Sequence, residues 1–239
     1  MTADGAGEDR AAAVRQRVAA AARQAGHPPD AVRVLAVAKG HPLEAVRALY
    51  DLGFRDFGEN RVQEARGKYG ALGAQPAWIQ DIRLHLIGHL HSNKVKLARD
   101  YFQLIQSVDR INLAAALQAD SGAPRPIMVE VNAGREPQKH GLWPDAVRPF
   151  MEALGQYPGV RVVGLMAVLP RVGRRELEGV MAEARRTFLA VREEEWPWAP
   201  CETLSMGMSE DFEMAIRHGS TEVRIGTALF GPRPLPAQA

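Results

Sequence analysis

Eight times along this chain a short apolar run rich in β-branched residues gives way to a segment with helical spacing. The runs are VRVLAVAK (32–39), FRDFGEN (54–60), LHLIG (84–88), FQLIQSV (102–108), PIMVEVN (126–132), VRVVGLMAV (160–168), ETLSM (202–206) and EVRIG (222–226). Between them, PLEAVRALYDLG (42–53) reads as a helix with Pro42 at N1 and Gly53 as the C′ stop. Further helical patterns fall after the second run, around 92–99, after Asp109, and at 143–155, 174–194 and 209–218. An Ala/Arg-rich segment with Val14 and Val18 at i, i+4 predicts one more helix ahead of the first strand.

Apolar strands alternating with amphipathic helices imply parallel βαβ units, and eight of them match a closed α/β barrel of the TIM type, (β/α)8. An open doubly wound sheet would want a glycine-rich dinucleotide turn after the first strand, where this chain has AKGHP. No Pro/Ser-rich linker divides the sequence. One domain over residues 1–239 is therefore expected, with 1–8 and 233–239 as tails and the extra N-terminal helix packed on the barrel.

Composition narrows the function classes. Hydrophobic residues make up 46% of the 239, enough for a real core. Thirty basic residues against 28 acidic ones, a net charge of +2, leave no basic cluster to suggest nucleic acid. The longest strongly apolar stretch, VVGLMAVL (162–169), is far short of the roughly 18–20 residues of a membrane span. The acidic N-terminus does not look like a signal peptide. The single cysteine, Cys201, excludes an intramolecular disulfide and fits a reducing cytosol. A cytoplasmic protein without membrane or nucleic-acid partners is expected, and a lone barrel that closes its own core predicts a monomer.

Active sites of such barrels lie where strands hand over to loops at their C-terminal ends, and phosphate sites favour the loops after the last two strands. Lys39 ends the first strand. The chain has only five lysines, and the other four (Lys68, Lys94, Lys96, Lys139) sit in polar helical or loop contexts. Partial desolvation favours a neutral amine that attacks carbonyls; a lysine snorkelling at the barrel rim is the other reading. At the far end of the sequence, Ser205, Gly207 and Ser209 precede a helix opened by Ser209, and Gly226 and Thr227 follow the eighth strand. Glycine and helix N-termini suit a phosphate, although Ser209 could equally be an ordinary N-cap.

Closing the barrel makes strand 8 the neighbour of strand 1. An amine nucleophile then stands beside a phosphate cradle, a pairing suited to pyridoxal 5′-phosphate. Arg224 on strand 8 could reach the pyridine nitrogen, or act as a phosphate clamp or a rim ion pair.

The segments AVAKGHPLEAVRALYDLGFRDFGENRVQEA, LHLIGHLHSNKVK, GLMAVLP and LSMGMSEDFEMAIRHGSTEVRIGTALFG closely resemble those of the pyridoxal-phosphate homeostasis proteins, in the same order from Val34 to Gly231. The resemblance implies a barrel similar to the N-terminal domain of alanine racemase. It implies that Lys39 carries the cofactor as an internal aldimine (a Schiff base), that Arg224 faces the pyridine nitrogen, and that Ser205, Gly226 and Thr227 serve the phosphate. Asn60, His89 and Met166 would line the pocket. It implies a role in vitamin B6 balance, with apo PLP-dependent enzymes as recipients. Ala38-Lys39-Gly40 departs from the family's usual Ser-Lys-Thr, which puts the local hydrogen bonding in question.

Catalysis is not expected. A two-base racemase commonly sets a Tyr opposite its lysine. Tyr50 and Tyr69 fall on helices, Tyr101 and Tyr157 before strands, and only 13 residues follow Gly226. The alternatives are an amino-acid racemase or related PLP enzyme, using solvent or His89 as second acid, and a cofactor-free Schiff-base lyase. His85, His89 and His91 suggest metal spacing, but no carboxylate completes the set, so no metal is expected.

Overall fold

The computed structural model describes residues 3–70, 75–118 and 122–233. Its eight strands are β1 (Arg33–Val37), β2 (Asp56–Glu59), β3 (Arg83–Leu86), β4 (Leu104–Val108), β5 (Arg125–Asn132), β6 (Val160–Val168), β7 (Thr203–Ser205) and β8 (Glu222–Ile225). They pair in sequence order and close, every pair parallel, with β1 against β8 through Val34↔Val223 and Leu35↔Arg224. The expected closed barrel is what the chain forms. Among the described residues no helix is long and apolar enough to cross a membrane.

Strand alternation divides the side chains into two layers. Ala36, Ala38, Phe57, Leu84, Val129, Val131, Leu204, Val223 and Ile225 join the large apolar cluster with residues of the surrounding helices. Positions of opposite parity therefore face the barrel axis. There Leu104, Met128 and Met166 form a separate apolar cluster. Lys39 shares the inward parity of Leu35 and Val37, and Arg224 lies between the outward Val223 and Ile225.

The helices are α1 (Ala3–Gln24), α2 (Leu43–Asp51), α3 (Val62–Tyr69), α4 (Ala77–Gln80), α5 (Val95–Tyr101), α6 (Ile111–Leu117), α7 (Pro144–Leu154), α8 (Arg174–Glu193), α9 (Phe212–Arg217) and α10 (Thr227–Phe230). A 3-10 turn, Ser92–Lys94, precedes α5. The N-terminal helix is present and buries Val14 and Val18.

Several local expectations are corrected. Residues from Ala3 onward belong to α1, where a tail over 1–8 was expected, and at the other end residues 234–239 lie outside the described residues. Pro42 is the N-cap of α2 (φ −72°, ψ 168°), one position before the expected N1. Gly53 does take the left-handed C′ position, φ +89°. The helix after β7 starts at Phe212, with Asp211 at its N-cap, because Asp211 Oδ1 accepts the Met208 N–H at 2.6 Å and holds the preceding turn. Ser209 is therefore not its cap.

Candidate cofactor site at the barrel mouth

Lys39 is placed by the turn that ends β1. Ala38 is buried in the outer apolar layer, and its N–H donates to Gly58 O at 2.9 Å. Its carbonyl accepts from Lys68 Nζ at 2.7 Å and from His41 N at 3.1 Å. Gly40 follows at φ +73°, a conformation that favours glycine, and its N–H donates to Glu64 Oε1 at 2.5 Å. The replacement of Ser and Thr beside the lysine thus has a local account: residue 38 packs away from the site, and residue 40 makes a left-handed turn. Burial, then Arg233 and Arg224, push the Lys39 ammonium below the ordinary lysine range, against a smaller opposing effect of Glu64.

Arg224 is almost fully buried. Its Nη1 donates to Ser205 O at 2.7 Å and Ser205 Oγ at 3.0 Å, and its Nη2 to Ala167 O at 2.9 Å. Burial lowers its pKa while Glu222, Asp211 and Glu130 act against that, and a guanidinium stays charged throughout. Ser205 is fully buried with its hydroxyl engaged as an acceptor, so it is a partner of Arg224 first. Met166 is in register with Ser205 on one side and Glu130 on the other. Gly226 caps the short α10, whose first residue, Thr227, is exposed. Ser209 reaches the same turn, its Oγ 3.4 Å from Ala228 N.

Asn60 and His89 stand on the other side of the mouth, after β2 and β3. The two strand ends approach so closely that a Cβ on Gly88 would sit 2.3 Å from Asn60 O. Asn60 Oδ1 is buried without a hydrogen-bond partner, an acceptor that a bound group could satisfy. Asn60 and His89 line one cavity, which Gly88 and Lys94 also border. His89 stacks on His140 with ring centroids 3.7 Å apart.

The histidine expectation changes here. His85 points into the barrel, where Nε2 lies 3.3 Å from Asp56 Oδ1 and Nδ1 lies 2.9 Å from Gln106 Nε2. A carboxylate does stand beside the outer histidines: Asp109 clusters with His89 and His140. It ends a different strand, so no spacing within LHLIGHLH could show it.

Two further features escaped the sequence reading. Glu130 on β5 is buried at the level of Met166, with Oε2 unpartnered. Burial, then Asp109, push its carboxyl up to about 7, outweighing Arg224 and Arg110. Deeper in the barrel a polar chain runs across the axis. Arg83 clasps Asp56 at 2.7 and 2.6 Å, Asp56 meets His85, and Gln106 Nε2 donates to Glu222 Oε1 at 2.7 Å. Polar residues interrupting apolar strands at inward parity, as in VEVN and IQSV, were the available signal. Cys201 is buried just before β7, its thiol pushed up to about 12 by burial.

The family model described as alanine racemase, N-terminal domain, matches residues 10–234. The pyridoxal phosphate homeostasis protein of Pseudomonas aeruginosa is 39% identical, covering 95% of this chain and 96% of its own length. That of Aquifex aeolicus is 37% identical, covering 94% and 97%. Among solved structures, PipY of Synechococcus elongatus with PLP bound has a TM-score of 0.76 at 35% identity, covering 91% of this chain and 100% of that one. Alanine racemase from Corynebacterium glutamicum, at 15% identity and a TM-score of 0.66, covers 95% of this chain and 63% of its own, and shares the fold. A full-length match of this kind, on a closed barrel whose first-strand lysine and eighth-strand arginine share one mouth, means that the chain belongs to the alanine racemase N-terminal domain family, together with the pyridoxal phosphate homeostasis proteins.

Proposed function

We propose that this protein binds pyridoxal 5′-phosphate through Lys39 and acts in intracellular vitamin B6 homeostasis, with little or no catalysis of its own. The observation that carries the reading is the shared mouth of Lys39 and Arg224: an amine whose pKa is lowered by burial and by neighbouring guanidinium groups, beside a buried fixed cation. Relatives above 30% identity carry the homeostasis name, and PipY has the cofactor bound, which supports the same reading.

The donor set fits the group. Lys39 would hold the aldehyde carbon through its amine, and Arg224 would donate to the ring nitrogen. The backbone around Gly226 and Thr227, with Ser205, would take the phosphate, and Asn60, His89 and Met166 would line the pocket. When bound, the cofactor supplies an electron-withdrawing ring and an amine-reactive carbonyl. An arginine facing the ring nitrogen donates a hydrogen bond without surrendering its proton, which weakens that electron withdrawal and disfavours turnover. Tyr50, Tyr69 and Tyr101 belong to α2, α3 and α5 and Tyr157 precedes β6, so none stands at the C-terminal end of a strand, which supports the non-catalytic reading. Recipient apo-enzymes, a cytoplasmic location and a monomeric state complete the proposal.

The test is a visible spectrum of the full chain with added pyridoxal phosphate, followed by borohydride reduction and peptide mapping. The expected result is a yellow band, abolished in Lys39→Ala, with the reduced label on Lys39. Label spread over Lys68, Lys94 and Lys139 without a band would overturn the reading. Racemisation of small amino acids at rates typical of enzymes, about 1–10³ per second, would replace the carrier by a racemase.

A further inference from the structure

Three neighbouring strand ends converge away from Lys39. His89 stands just beyond β3, Asp109 directly follows β4, and His140 lies in the loop between β5 and α7. One potential ligand atom from each lies within 4.8 Å of the other two. Two imidazoles and one carboxylate form a donor set that suits a borderline divalent ion and leaves coordination positions open.

The backbone that carries these groups is fixed in advance. Gly141, next to His140, has φ +100°, and a Cβ on it would come within 2.9 Å of Asn132 N. Leu142 N donates to Glu130 O at 2.8 Å and Asn132 N to Leu142 O at 2.9 Å, tying the loop to β5. Arg110 Nη1 takes Asp109 Oδ1 at 2.8 Å, while Oδ2 has a long contact with Gly141 N at 3.4 Å and keeps lone pairs to give. His89 Nδ1 is buried with no hydrogen-bond partner, the unsatisfied nitrogen that an ion resolves.

We propose that His89, Asp109 and His140 bind a divalent transition-metal ion of the Zn²⁺ class at the ends of β3, β4 and β5, with His89 shared between this site and the lining of the proposed cofactor pocket. The site opens on a cavity of about 420 Å³ that Arg110 also lines. Nearly parallel rings, 16° apart, cannot both aim a lone pair at one ion, so the exposed His140 swings outward on binding. Arg110 is tethered through Nη2 to Leu90 O and stays beside the ion. Its charge weakens metal affinity and favours an anionic ligand, hydroxide or carboxylate, at the open position.

The experiment uses the full chain, stripped with a chelator and assayed with and without pyridoxal phosphate. Zn²⁺ is titrated by calorimetry and Co²⁺ by its visible absorption. One ion per chain is expected, with Zn²⁺ displacing Co²⁺ and raising the unfolding temperature. Asp109→Asn and His140→Ala should each weaken binding about tenfold or more, with unchanged circular dichroism in chelator. His27→Ala, on an exposed residue far along the chain, should bind as the parent does. Absence of binding by the parent protein, or equal binding by all three variants, would overturn the proposal.

Discussion

Arg224 grips Ser205 twice, through its carbonyl oxygen at 2.7 Å and its hydroxyl at 3.0 Å, and with its other nitrogen holds Ala167 O at 2.9 Å. One side chain from β8 therefore ties β7 and β6 together from inside the barrel, at the level of the proposed cofactor site. Whatever Arg224 does for a ligand, it first supplies donors to buried acceptors that have no water to turn to.

Truncation should expose this double role. Arg224→Ala leaves the Ser205 and Ala167 carbonyls unpaired and should cost about 3 kcal/mol of stability in urea unfolding. Arg224→Lys restores the charge without the planar fork, and should recover part of the stability while binding pyridoxal phosphate more weakly than the parent. A fully stable Arg224→Ala variant would contradict the tie.

Lys39 should react early in a pH titration. A lysine is charged below its pKa, and burial with Arg233 and Arg224 lowers that pKa, so the reactive neutral amine forms at lower pH than in a free lysine. The rate of pyridoxal phosphate capture should rise with pH to a midpoint below the ordinary lysine range. In Arg233→Ala the midpoint should move upward. A midpoint at the ordinary value, unmoved by the substitution, would count against it.

Glu130 should make the fold less stable as pH rises. Its folded carboxyl titrates at about 7, above the unfolded one, so the unfolded chain releases the proton first between those values. Stability is full below about pH 4 and falls as pH climbs through 7. Glu130→Gln, neutral and nearly isosteric, should be more stable than the parent at pH 8 by on the order of 2 kcal/mol, with the gap closing toward pH 4. A constant gap across that range would show that Glu130 titrates normally.

Two glycines make a paired test of packing. A Cβ on Gly88 would sit 2.3 Å from Asn60 O, against backbone that cannot yield cheaply. Gly88→Ala should cost about 3 kcal/mol and loosen the mouth between β2 and β3. Gly67, inside α3, has nothing within 4 Å of its would-be Cβ. Gly67→Ala should stabilise by roughly 0.5–1 kcal/mol. Thermal or urea unfolding of the two variants reads the contrast.

Much of the architecture was legible because periodicity is a local property. A run such as VRVLAVA, with small outward alanines at Ala36 and Ala38, buries one face under helices and aims the other inward, so a lysine two residues past Val37 keeps the inward parity. Strand order followed from repetition, and closure from the count of eight. Less visible were the brief helices Ala77–Gln80 and Thr227–Phe230, single turns too short for a period to register.

Local spacing therefore determined the barrel and the inward parity of Lys39 and Arg224. Only the closed fold decided which side chains meet across the axis. Gln106 and Glu222, 116 residues apart, become hydrogen-bonded neighbours, and Asp109 joins histidines from two other strand ends. Those contacts depend on strand stagger and on the radius at which eight strands close, quantities summed over the whole barrel and absent from any window of sequence.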